Sequence, residues 1–390
     1  MTRFQGLLTA GVTAVAIAGS AGAASAATPT GTIMEANQAT AIAGSYIVTL
    51  QPGEAVSTEA QRLVRRHGGS VRENFTAAVR GFHATMTRTQ ARRLAADPAV
   101  KSVEQDAKIT ADAVQTNPTW GLDRIDQAAL PLSKSYTHRS AAGVTAYVLD
   151  TGIRVTSQEF GGRARDGYDA VDKDTVAQDC NGHGTHVAGT IGGAKYGVAK
   201  DVKLVGVRVL DCTGSGSYSA IIAGVDWVTK NAVKPAVANM SLGGSTSKTL
   251  DDAVRKSIAS GVTYALAAGN ENKDACQQSP ARQPDAITVA ATDSTDTRAA
   301  FSNFGTCVDI FAPGVKITSA SNKSDNGIAT MSGTSMASPH VAGAAALMLG
   351  ANPKLTPQQV RDALVADAST KIQDRAGSPA KLLNTSRLNA

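Results

Sequence analysis

The chain has 390 residues, with 38 Lys and Arg against 32 Asp and Glu, which gives a formal net charge of +6 at pH 7. A chain of this length can form one large domain and a smaller one, and its core needs neither a metal ion nor a disulfide to close. The charge is mild for the length, and the basic residues form no run longer than VRRH at residues 64–67, which argues against a dedicated nucleic-acid-binding protein.

The first residues have the pattern of a secretory signal peptide. Arg3 precedes an alanine-rich apolar stretch, and Ala24-Ser25-Ala26 supplies the small residues of a cleavage site. The alternative, a membrane anchor, is disfavoured because small residues interrupt the apolar run and no stop-transfer flank follows it. No later stretch is long and apolar enough to span a bilayer. We therefore predict a signal peptide at residues 1–27, an extracellular product and no membrane association after its removal.

A small polar lead follows, and residues from about 45 to 112 then show the pattern of a compact module. Segments with helical start and stop signals alternate with short apolar strands. Either Thr87 or Thr89 can cap the second helix, and Pro98 lies beyond its end. The strands are predicted at residues 46–50, 70–86 (two paired strands) and 100–110, and the helices at 57–68 and 87–98. This β-α-β-β-α-β order indicates a small ferredoxin-like α+β domain, followed by an exposed linker.

From about residue 113 the pattern changes to short apolar runs that alternate with longer helical segments rich in small residues. Runs that are apolar on both faces suit the central strands of a parallel sheet covered by helices. The runs lie at residues 144–150, 203–210, 236–242, 262–270 and 286–291, and the clearest helices at 219–232, 248–261 and 334–350. The sequence therefore predicts a doubly wound α/β domain over residues 113–390, with its chemistry at the carboxyl ends of the strands and no further domain after it.

Three side chains at strand and helix ends are candidates for catalysis, and each also has a structural explanation. Asp150 ends a buried strand and is equally well explained as a cap. His183 opens a helix with glycine on both sides, which lets a partner approach its imidazole, whereas His186 and His340 suit packing. Ser335 stands at a glycine-preceded helix start, where a plain N-cap is the commoner role. The order Asp, His, Ser is one of the known orders of a catalytic triad.

The three candidates lie in the blocks VLDTGI at residues 148–153, NGHGTHVAGT at 181–190 and SGTSMASPHVAG at 332–343. These blocks resemble, in order, the signature blocks of the subtilase family of serine endopeptidases. The chain is similar to the proteinase K branch of that family, and most closely to aqualysin-type enzymes, over nearly all of residues 113–390. The resemblance implies the subtilisin-like fold, with Ser335 as nucleophile, His183 as general base and Asp150 as the group that orients the imidazole. It also implies that the amide of Asn270 stabilises the oxyanion together with the N–H of Ser335.

Matching blocks also imply where a peptide substrate binds. Two segments resemble the strands that flank an extended substrate, and a third resembles the wall of the pocket for the residue before the cut. These residues are Gly214, Gly216 and Tyr218 on one strand, Ser241, Leu242 and Gly243 on the other, and Ala267, Ala268 and Gly269 in the pocket. The small wall residues leave room for large apolar or aromatic side chains, with loose discrimination.

The resemblance further implies structural calcium, which oxygen ligands of these types suit. Asp309 and the carbonyl groups of Pro284 and Ala286 resemble the strong calcium site of this branch. A second site, seen in aqualysin-like members, would use Asp123, Asp126, Gln127, Ser133 and Ser135. A third candidate set is Asp172, Asp174 and Asp179. In each case solvated surface side chains are the alternative.

Four cysteines, Cys180, Cys212, Cys276 and Cys307, suggest two disulfides in an exported protein, and their number alone leaves three pairings open. Zinc is the competing interpretation, but no C-x-x-C or HExxH spacing supports it. The resemblance to aqualysin implies pairing of Cys180 with Cys212 and of Cys276 with Cys307. Val187 stands where proteinase K has a free cysteine behind its catalytic histidine, so thiol reagents should find little to attack near the site.

Residues 28–112, with a folded part at about 45–112, resemble the inhibitory pro-segment of subtilases, which assists folding and blocks the cleft until it is cut away. The junction matches near Asp112-Ala113, where we expect self-cleavage. The sequence thus predicts a secreted, monomeric, calcium-stabilised serine endopeptidase that acts on proteins and peptides and has its own pro-segment as a partner. The alternatives are a non-catalytic binding scaffold and a metalloprotein that uses His183 and His186, which lacks the expected acidic or third ligand.

Overall fold

The structure, a computed structural model, describes residues 29–34, 41–53, 55–107 and 113–389. The predicted signal peptide at residues 1–27 and Asp112 of the predicted junction lie outside the described residues. The described residues up to Ala107 form one compact unit, and those from Ala113 onward form a second. Among the described residues, no helix combines the length and the apolar character needed to cross a membrane.

The first unit contains, in its described residues, a five-stranded sheet with two helices, and it includes the predicted β-α-β-β-α-β order. In chain order the elements are β1 (Ile33–Met34), β2 (Ala41–Leu50), α1 (Val56–His67), β3 (Ser70–Phe75), β4 (Gly81–Thr85), α2 (Arg88–Leu94) and β5 (Val100–Ala107). The strand order is β1-β5-β2-β4-β3, and all neighbours are antiparallel except β1 and β5. Of the two candidate caps, Thr87 begins α2, because its hydroxyl accepts from the Gln90 N–H and the Gln90 side chain accepts from the Thr87 N–H.

The second unit is built on a parallel sheet. In chain order its elements are β6 (Ala113–Thr116), α3 (Trp120–Ile125), β7 (Ser135–His138), β8 (Thr145–Asp150), β9 (Ala164–Asp169), α4 (His183–Gly192), β10 (Lys203–Arg208), α5 (Tyr218–Asn231), β11 (Ala236–Met240), α6 (Lys248–Ala259), β12 (Val262–Ala267), β13 (Ile287–Thr292), β14 (Ile310–Pro313), β15 (Ile317–Ala320), β16 (Ile328–Met331), α7 (Thr334–Ala351) and α8 (Pro357–Asp367). The parallel sheet has the order β14-β13-β12-β11-β8-β10-β9. Strands β6 and β7 pair antiparallel, as do β15 and β16.

Helices cover both faces of this sheet, which explains why its central strands are apolar throughout. Every residue of β8, β11, β12 and β13 is buried. Ala146 and Val148 of β8 join an apolar cluster with α4 and α7. Tyr147 and Leu149, which face the other side, join a cluster with α5 and α6. The prediction of a doubly wound, mainly parallel sheet flanked by helices is confirmed.

The strand order places the predicted site at a crevice. From β8 the sheet continues through β10 to β9 on one side, and through β11, β12 and β13 to β14 on the other. Ligands of open α/β sheets bind where the order reverses in this way, at the carboxyl ends of the strands. Asp150 is the last residue of β8, and Ser241 and Ala268 directly follow the neighbouring strands β11 and β12. Three predicted segments of the site therefore begin at adjacent strand ends.

His186 in α4 and His340 in α7 are buried, with 0% and 1% of their surface exposed. One ring nitrogen of His186 is 3.0 Å from the Ile317 carbonyl oxygen, and one of His340 is 2.8 Å from that of Met336. Burial lowers the pKa of both imidazoles to about 4. Both residues are therefore neutral parts of the packing between sheet and helices at neutral pH.

We predict that the second unit loses stability in acid because unfolding lets these two imidazoles take up protons. With an unfolded pKa of 6.5 and a folded pKa of about 4, their contribution is fully present above pH 6.5 and is lost as the pH falls toward 4. The difference corresponds to about 3 kcal/mol for each histidine. Urea unfolding of the protein across this pH range measures the loss. In His340→Gln the loss should shrink by about half, and an unchanged loss would contradict the assignment.

Candidate active site

Asp150 and His183 form a hydrogen-bonded pair at the edge of the sheet. Asp150 is fully buried at the end of β8, and His183 is the first residue of α4. Nδ1 of His183 lies 2.7 Å from Oδ1 of Asp150. Gly184 permits this approach, since a β-carbon there would lie 2.1 Å from the carbonyl oxygen of Gly152. A glycine beside the histidine is thus required for α4 to come this close to β8.

The charge of Asp150 changes the basicity of His183. Burial lowers the pKa of the imidazole, but the negative charge of Asp150 and its hydrogen bond outweigh burial and raise the pKa above 6.5. Oδ1 of Asp150 also accepts from the Thr151 N–H at 2.8 Å, whereas the buried Oδ2 has no hydrogen-bond partner among the described residues. With Nδ1 held by Asp150, Nε2 is the nitrogen of His183 available for proton transfer.

Asp179, a candidate calcium ligand from the sequence, organises the loop before α4 instead. Its side chain is buried, and both oxygens accept hydrogen bonds from that loop and from α4. The donors are the N–H groups of Asn181, Gly182 and Thr185 and the hydroxyl groups of Thr151 and Thr185. Asp172, of the same candidate set, pairs with Arg208 at 2.5 Å. Asp179 therefore fixes the backbone that presents His183, and these carboxylates do not converge on a cation site.

Ser335 lies in the first turn of α7, after Gly333 and Thr334. Its hydroxyl donates to the carbonyl oxygen of Ser241 at 3.2 Å. In the described part of the chain it makes no direct hydrogen bond to His183, whose Nδ1 is held by Asp150. Catalytic hydrogen bonds are often long before substrate binds. The contact between His183 and Ser335 thus stays a prediction.

The amide of Asn270 is oriented by Thr334, a residue that sequence analysis did not single out. The N–H and hydroxyl of Thr334 donate to Oδ1 of Asn270 at 2.8 and 3.0 Å. Because a backbone N–H needs an acceptor, the amide oxygen faces Thr334, and the amide nitrogen has no hydrogen-bond partner among the described residues. A β-carbon at Gly333 would meet no atom closer than 3.6 Å, and the nearest atoms are the nitrogen of Ser335 at 3.6 Å and Oδ1 and Nδ2 of Asn270 at 3.7 and 3.8 Å. The absent side chain of Gly333 therefore leaves open a space that both donors border.

A cleft of about 840 Å³ is lined by His183, whereas Ser335 and Asn270 are not part of its lining. Its lining includes His183 and six predicted substrate residues, Gly214, Gly216, Tyr218, Ser241, Leu242 and Gly243. Tyr218 links the two sides, since its hydroxyl donates to the carbonyl oxygen of Ser245 at 2.5 Å. The three predicted pocket residues, Ala267, Ala268 and Gly269, lie at the end of β12 and are not part of this lining.

The neighbourhood of Gly269 contains an amide that sequence analysis missed. A β-carbon at Gly269 would lie 2.3 Å from Oε1 of Gln278, and one at Gly243 would lie 3.7 Å from the same oxygen. Nε2 of Gln278 donates to the carboxylate of Glu271 at 2.8 Å. The Gln278 side chain thus lies between two of the predicted substrate segments and adds a hydrogen-bond acceptor to a wall of small apolar residues.

The structure joins Cys180 to Cys212 and Cys276 to Cys307, the pairs that the resemblance implies. The first disulfide connects the loop before His183 to the segment that leads to Gly214. The same two segments are also held by the Asn181 side chain, which donates to the Cys212 carbonyl oxygen at 3.0 Å. None of the cysteines is free, and Val187 of α4 is fully buried.

The predicted ligands around Asp126 form a cluster of oxygen atoms. Burial, together with the charge of Asp123, raises the pKa of Asp126 to about 6. Oδ2 of Asp126 accepts a backbone N–H at 2.9 Å, whereas its buried Oδ1 has no partner among the described residues. Asp123 and Gln127 both accept from the Ser133 N–H at 2.9 Å. The hydroxyl groups of Ser133 and Ser135 are 2.9 Å apart.

Asp309, by contrast, is paired with a guanidinium. Arg361 of α8 donates to Oδ1 of Asp309 from Nε at 3.1 Å and from Nη2 at 2.6 Å. Oδ2 of Asp309 accepts from the Thr288 N–H at 2.8 Å. Pro284 and Ala286, whose carbonyl groups were predicted to complete this site, lie just before β13. Across the described ranges, no group of three or more His, Cys, Asp or Glu side chains is arranged to hold a metal ion.

A parallel α/β sheet with this strand order, and with an Asp–His pair and a helix-borne serine beside its carboxyl edge, defines a subtilisin-like serine peptidase. Comparison with known families agrees: the Subtilase family model matches residues 96–384, and the Peptidase inhibitor I9 model matches residues 45–112. The chain therefore belongs to the subtilase family and carries an I9-type pro-segment.

Known proteins similar to this chain include extracellular peptidases. An extracellular serine proteinase of Thermus sp. (strain Rt41A) is 55% identical over 343 residues, which cover 86% of this chain and 84% of that protein. Alkaline serine exoprotease A of Vibrio alginolyticus is 52% identical over 371 residues, or 90% of this chain and 69% of that protein. The crystal structure of a cold adapted subtilisin-like serine proteinase matches with a TM-score of 0.68 and 58% identity, over 69% of this chain and 98% of that chain.

We predict that Asn270→Ala lowers kcat by about 10²- to 10³-fold with little change in KM, as expected of a residue whose predicted role is to donate to the oxyanion of the transition state. The range was measured in subtilisin, a relative, for loss of the corresponding donor. Thr334→Val keeps the N–H that holds Asn270 and should therefore reduce kcat less. Steady-state kinetics with a peptide p-nitroanilide measure both variants, and an unchanged kcat in Asn270→Ala would contradict the assignment.

Proposed function

We propose that this subtilase cleaves peptide bonds within protein substrates through nucleophilic attack by Ser335, assisted by His183, Asp150 and Asn270. The observation that carries the proposal is the 2.7 Å hydrogen bond between the buried Asp150 and His183. It gives an imidazole of raised pKa next to the cleft, with its second nitrogen available as a base. The free amide donor of Asn270 and the open space at Gly333 support a place for the oxyanion.

Catalysis then proceeds in two stages. His183 takes the proton of the Ser335 hydroxyl as its oxygen attacks the substrate carbonyl carbon, and Asp150 stabilises the resulting imidazolium. The tetrahedral intermediate expels the amine, which receives the proton from His183, and an acyl-enzyme remains. Water, deprotonated by His183, then attacks the acyl carbon; the bond to the Ser335 oxygen breaks, the acid is released, and His183 returns the proton to that oxygen. Asn270 and the Ser335 N–H donate to the oxyanion in both stages.

Substrate binds, in this proposal, as an extended strand between residues 214–218 and 241–243. The side chain before the cut then lies against Ala267, Ala268 and Gly269, whose small size supports a broad preference for apolar or aromatic residues. The Gln278 amide provides an acceptor that a tyrosine hydroxyl could use. A series of p-nitroanilides with Phe, Leu, Tyr or Glu before the cut tests this. We expect kcat/KM to be lowest for Glu, and a preference for Glu would overturn the proposal.

The precursor organisation is part of the same proposal, with a signal peptide at residues 1–27, a pro-segment at 28–112 and the peptidase domain at 113–390. The I9 match at residues 45–112 and the extracellular relative from Thermus sp. support it. The pro-segment assists folding and inhibits the enzyme until self-cleavage near residues 112 and 113. The peptidase domain benefits from a folding aid, because a parallel sheet pairs segments that are far apart in sequence and therefore forms slowly. The mature product is an extracellular monomer.

Calcium is proposed as a stabilising ion at the Asp123–Asp126 cluster. Asp126 has a buried carboxylate oxygen without a partner in the described part of the chain, and the carboxylate, amide and hydroxyl oxygens around it suit a hard cation. A bound ion would neutralise the two carboxylates and hold them together. The Asp309 set fits less well, because Arg361 already supplies the positive charge that pairs with Asp309. We therefore place no calcium ion at Asp309.

We predict that calcium raises the thermal midpoint of the inhibited enzyme and that Asp126→Asn removes most of the rise. An ion that binds only the folded state adds about 2.7 kcal/mol at a hundredfold excess over Kd. The measurement is the midpoint with calcium minus the midpoint with a chelator, for each variant. Asp309→Asn is the matched control and should keep the rise even if its own midpoint is lower. A rise that persists in Asp126→Asn and disappears in Asp309→Asn would contradict the placement of calcium at Asp126.

A fluorophosphonate that labels activated serines tests the proposed chemistry. We expect one label per folded, mature molecule, mapped to Ser335 by peptide mass, with parallel loss of activity and no protection by a zinc chelator. A folded, mature protein that takes up no label would overturn the proposal in favour of a binding scaffold. Activity that a chelator abolishes, with no serine labelled, would instead favour a metalloprotein using His183 and His186.

A further inference from the structure

The carbonyl group of Ser335 lacks its usual helical hydrogen-bond donor, and a series of side-chain hydrogen bonds replaces it. In an α-helix the carbonyl of residue i accepts from the N–H of residue i+4. Four residues after Ser335, α7 has Pro339, which has no N–H. The hydroxyl of Ser241 donates to the Ser335 carbonyl oxygen at 2.8 Å instead. The first turn of α7 is therefore completed by a side chain from another segment.

Two further buried side chains hold the Ser241 hydroxyl in place. Nδ2 of Asn239 donates to Oγ of Ser241 at 2.9 Å, and the Ser338 hydroxyl donates to Oδ1 of Asn239 at 2.8 Å. Asn239 and Ser338 are fully buried and Ser241 is 3% exposed, so water does not compete for these bonds. The direction is fixed, because Ser241 accepts from an amide nitrogen that can only donate and so directs its own proton to Ser335.

This series of hydrogen bonds begins and ends in α7. Ser338 and Ser335 lie about one turn apart in α7, whereas Asn239 lies in β11 and Ser241 follows it. In addition, the hydroxyl of Ser335 donates back to the carbonyl oxygen of Ser241 at 3.2 Å. Ser241 therefore contacts both the main chain and the side chain of Ser335, and Asn239 and Ser338 determine where Ser241 lies.

We propose that Asn239 and Ser338 are positioning residues for the nucleophile. Acting through Ser241, they fix the main chain of Ser335 and with it the hydroxyl that attacks and the N–H that borders the oxyanion space. Both residues are fully buried and so do not contact substrate, and their loss should therefore slow the attack more than it weakens substrate binding. The inference rests on the proposed function. A displacement of about 1 Å at a reacting group can cost about 100-fold in rate.

The test compares Ser338→Ala with Ser257→Ala, a matched control in α6. Both serines are fully buried, and each hydroxyl has one side-chain partner at 2.8 Å, which for Ser257 is Tyr264. We expect similar losses of thermal stability from the two changes. Only Ser338→Ala should lower kcat, by about 10-fold or more, while KM stays within about twofold. The fluorophosphonate titration supplies the concentration of active sites for each variant.

A double-mutant cycle adds a result that general destabilisation would not produce. Because Ser338 acts through Asn239, adding Ser338→Ala to Asn239→Ala should leave kcat unchanged. Ser338→Cys keeps a weak donor, should give an intermediate kcat, and replaces Ser338→Ala in the comparison if that variant does not fold. Equal kcat in wild type and Ser338→Ala would overturn the inference. A double variant whose loss of kcat equals the combined losses of the two single variants would overturn it as well. Failure of the proposed function looks different, since wild type and Ser257→Ala would then both be inactive.

Discussion

Replacing Ser335 by Ala is expected to lower kcat for a peptide p-nitroanilide by about 10⁶-fold. The figure is the one measured in subtilisin, a relative, when its catalytic serine is removed. The loss is large because Ser335 supplies, in this proposal, the oxygen that forms the acyl-enzyme. The cleft itself is unchanged, so a peptide inhibitor that forms no bond to Ser335 should bind with similar affinity. Single-turnover kinetics and inhibitor titration measure the two quantities.

The matched control for this change is Ser257→Ala, which removes another buried serine hydroxyl but leaves the site intact. Its kcat should equal that of the wild type. Activity of Ser335→Ala within about tenfold of the wild type, where about 10⁶-fold is expected, would exclude Ser335 as the nucleophile. Preparing both variants in a host without endogenous extracellular peptidases removes the contaminating activity that could imitate such a result.

Asp150→Asn is expected to lower kcat by about 10⁴-fold and to move the acid limb of the pH profile to lower pH. The magnitude comes from the matching change in a serine peptidase of a different fold. Asp150 raises the pKa of His183, and the protonated imidazole cannot act as a base, so wild-type activity falls as the pH drops through that raised pKa. Without the carboxylate the pKa of His183 falls. The variant should therefore keep its remaining activity at pH values where the wild type has lost it.

The measurement is kcat/KM against pH for both proteins, which reports the pKa of the free enzyme. Asp150→Glu is a useful comparison because it retains the charge and alters only the geometry. Its acid limb should stay nearer to that of the wild type although its rate falls. An Asp150→Asn profile with an unmoved acid limb would contradict the electrostatic role of Asp150.

The fold could be predicted from the sequence because its signals are local. Ala146 and Val148 on one face of β8, and Tyr147 and Leu149 on the other, are all apolar, so the run indicates a central strand whatever its neighbours are. The position of Asp150 follows from where that run ends. The helices flanking the sheet could be predicted on similar grounds, from segments rich in small and apolar residues.

The supporting contacts of the site could not be predicted because they join polar residues far apart in the chain. Thr334 and Asn270 are 64 residues apart, and Ser338 and Asn239 are 99 apart. Serine, threonine and asparagine are common in loops and caps, so nothing in their local sequence distinguishes these from others. Only the packing of α7 against β11 and β12 brings them together.

Charge pairing shows which of the predicted calcium ligands already have partners in the structure. Asp309 matches a ligand position of the family, but its partner Arg361 lies 52 residues later, in a helix that sequence analysis did not connect to it. Asp179 has both oxygens occupied by donors of α4 and of the loop before it. A carboxylate in a block that matches the family can therefore be paired with a residue that lies outside that block.

The intact mass of the secreted product, for wild type and Ser335→Ala side by side, tests the central claim most directly. We predict that the wild type shortens to a form that begins near Ala113, whereas the Ser335→Ala product keeps its pro-segment. That result would identify Ser335 as the nucleophile and show that the enzyme cuts off its own pro-segment. Identical maturation of both proteins would contradict self-processing, and secretion of both as folded, uncut precursors would contradict catalysis itself.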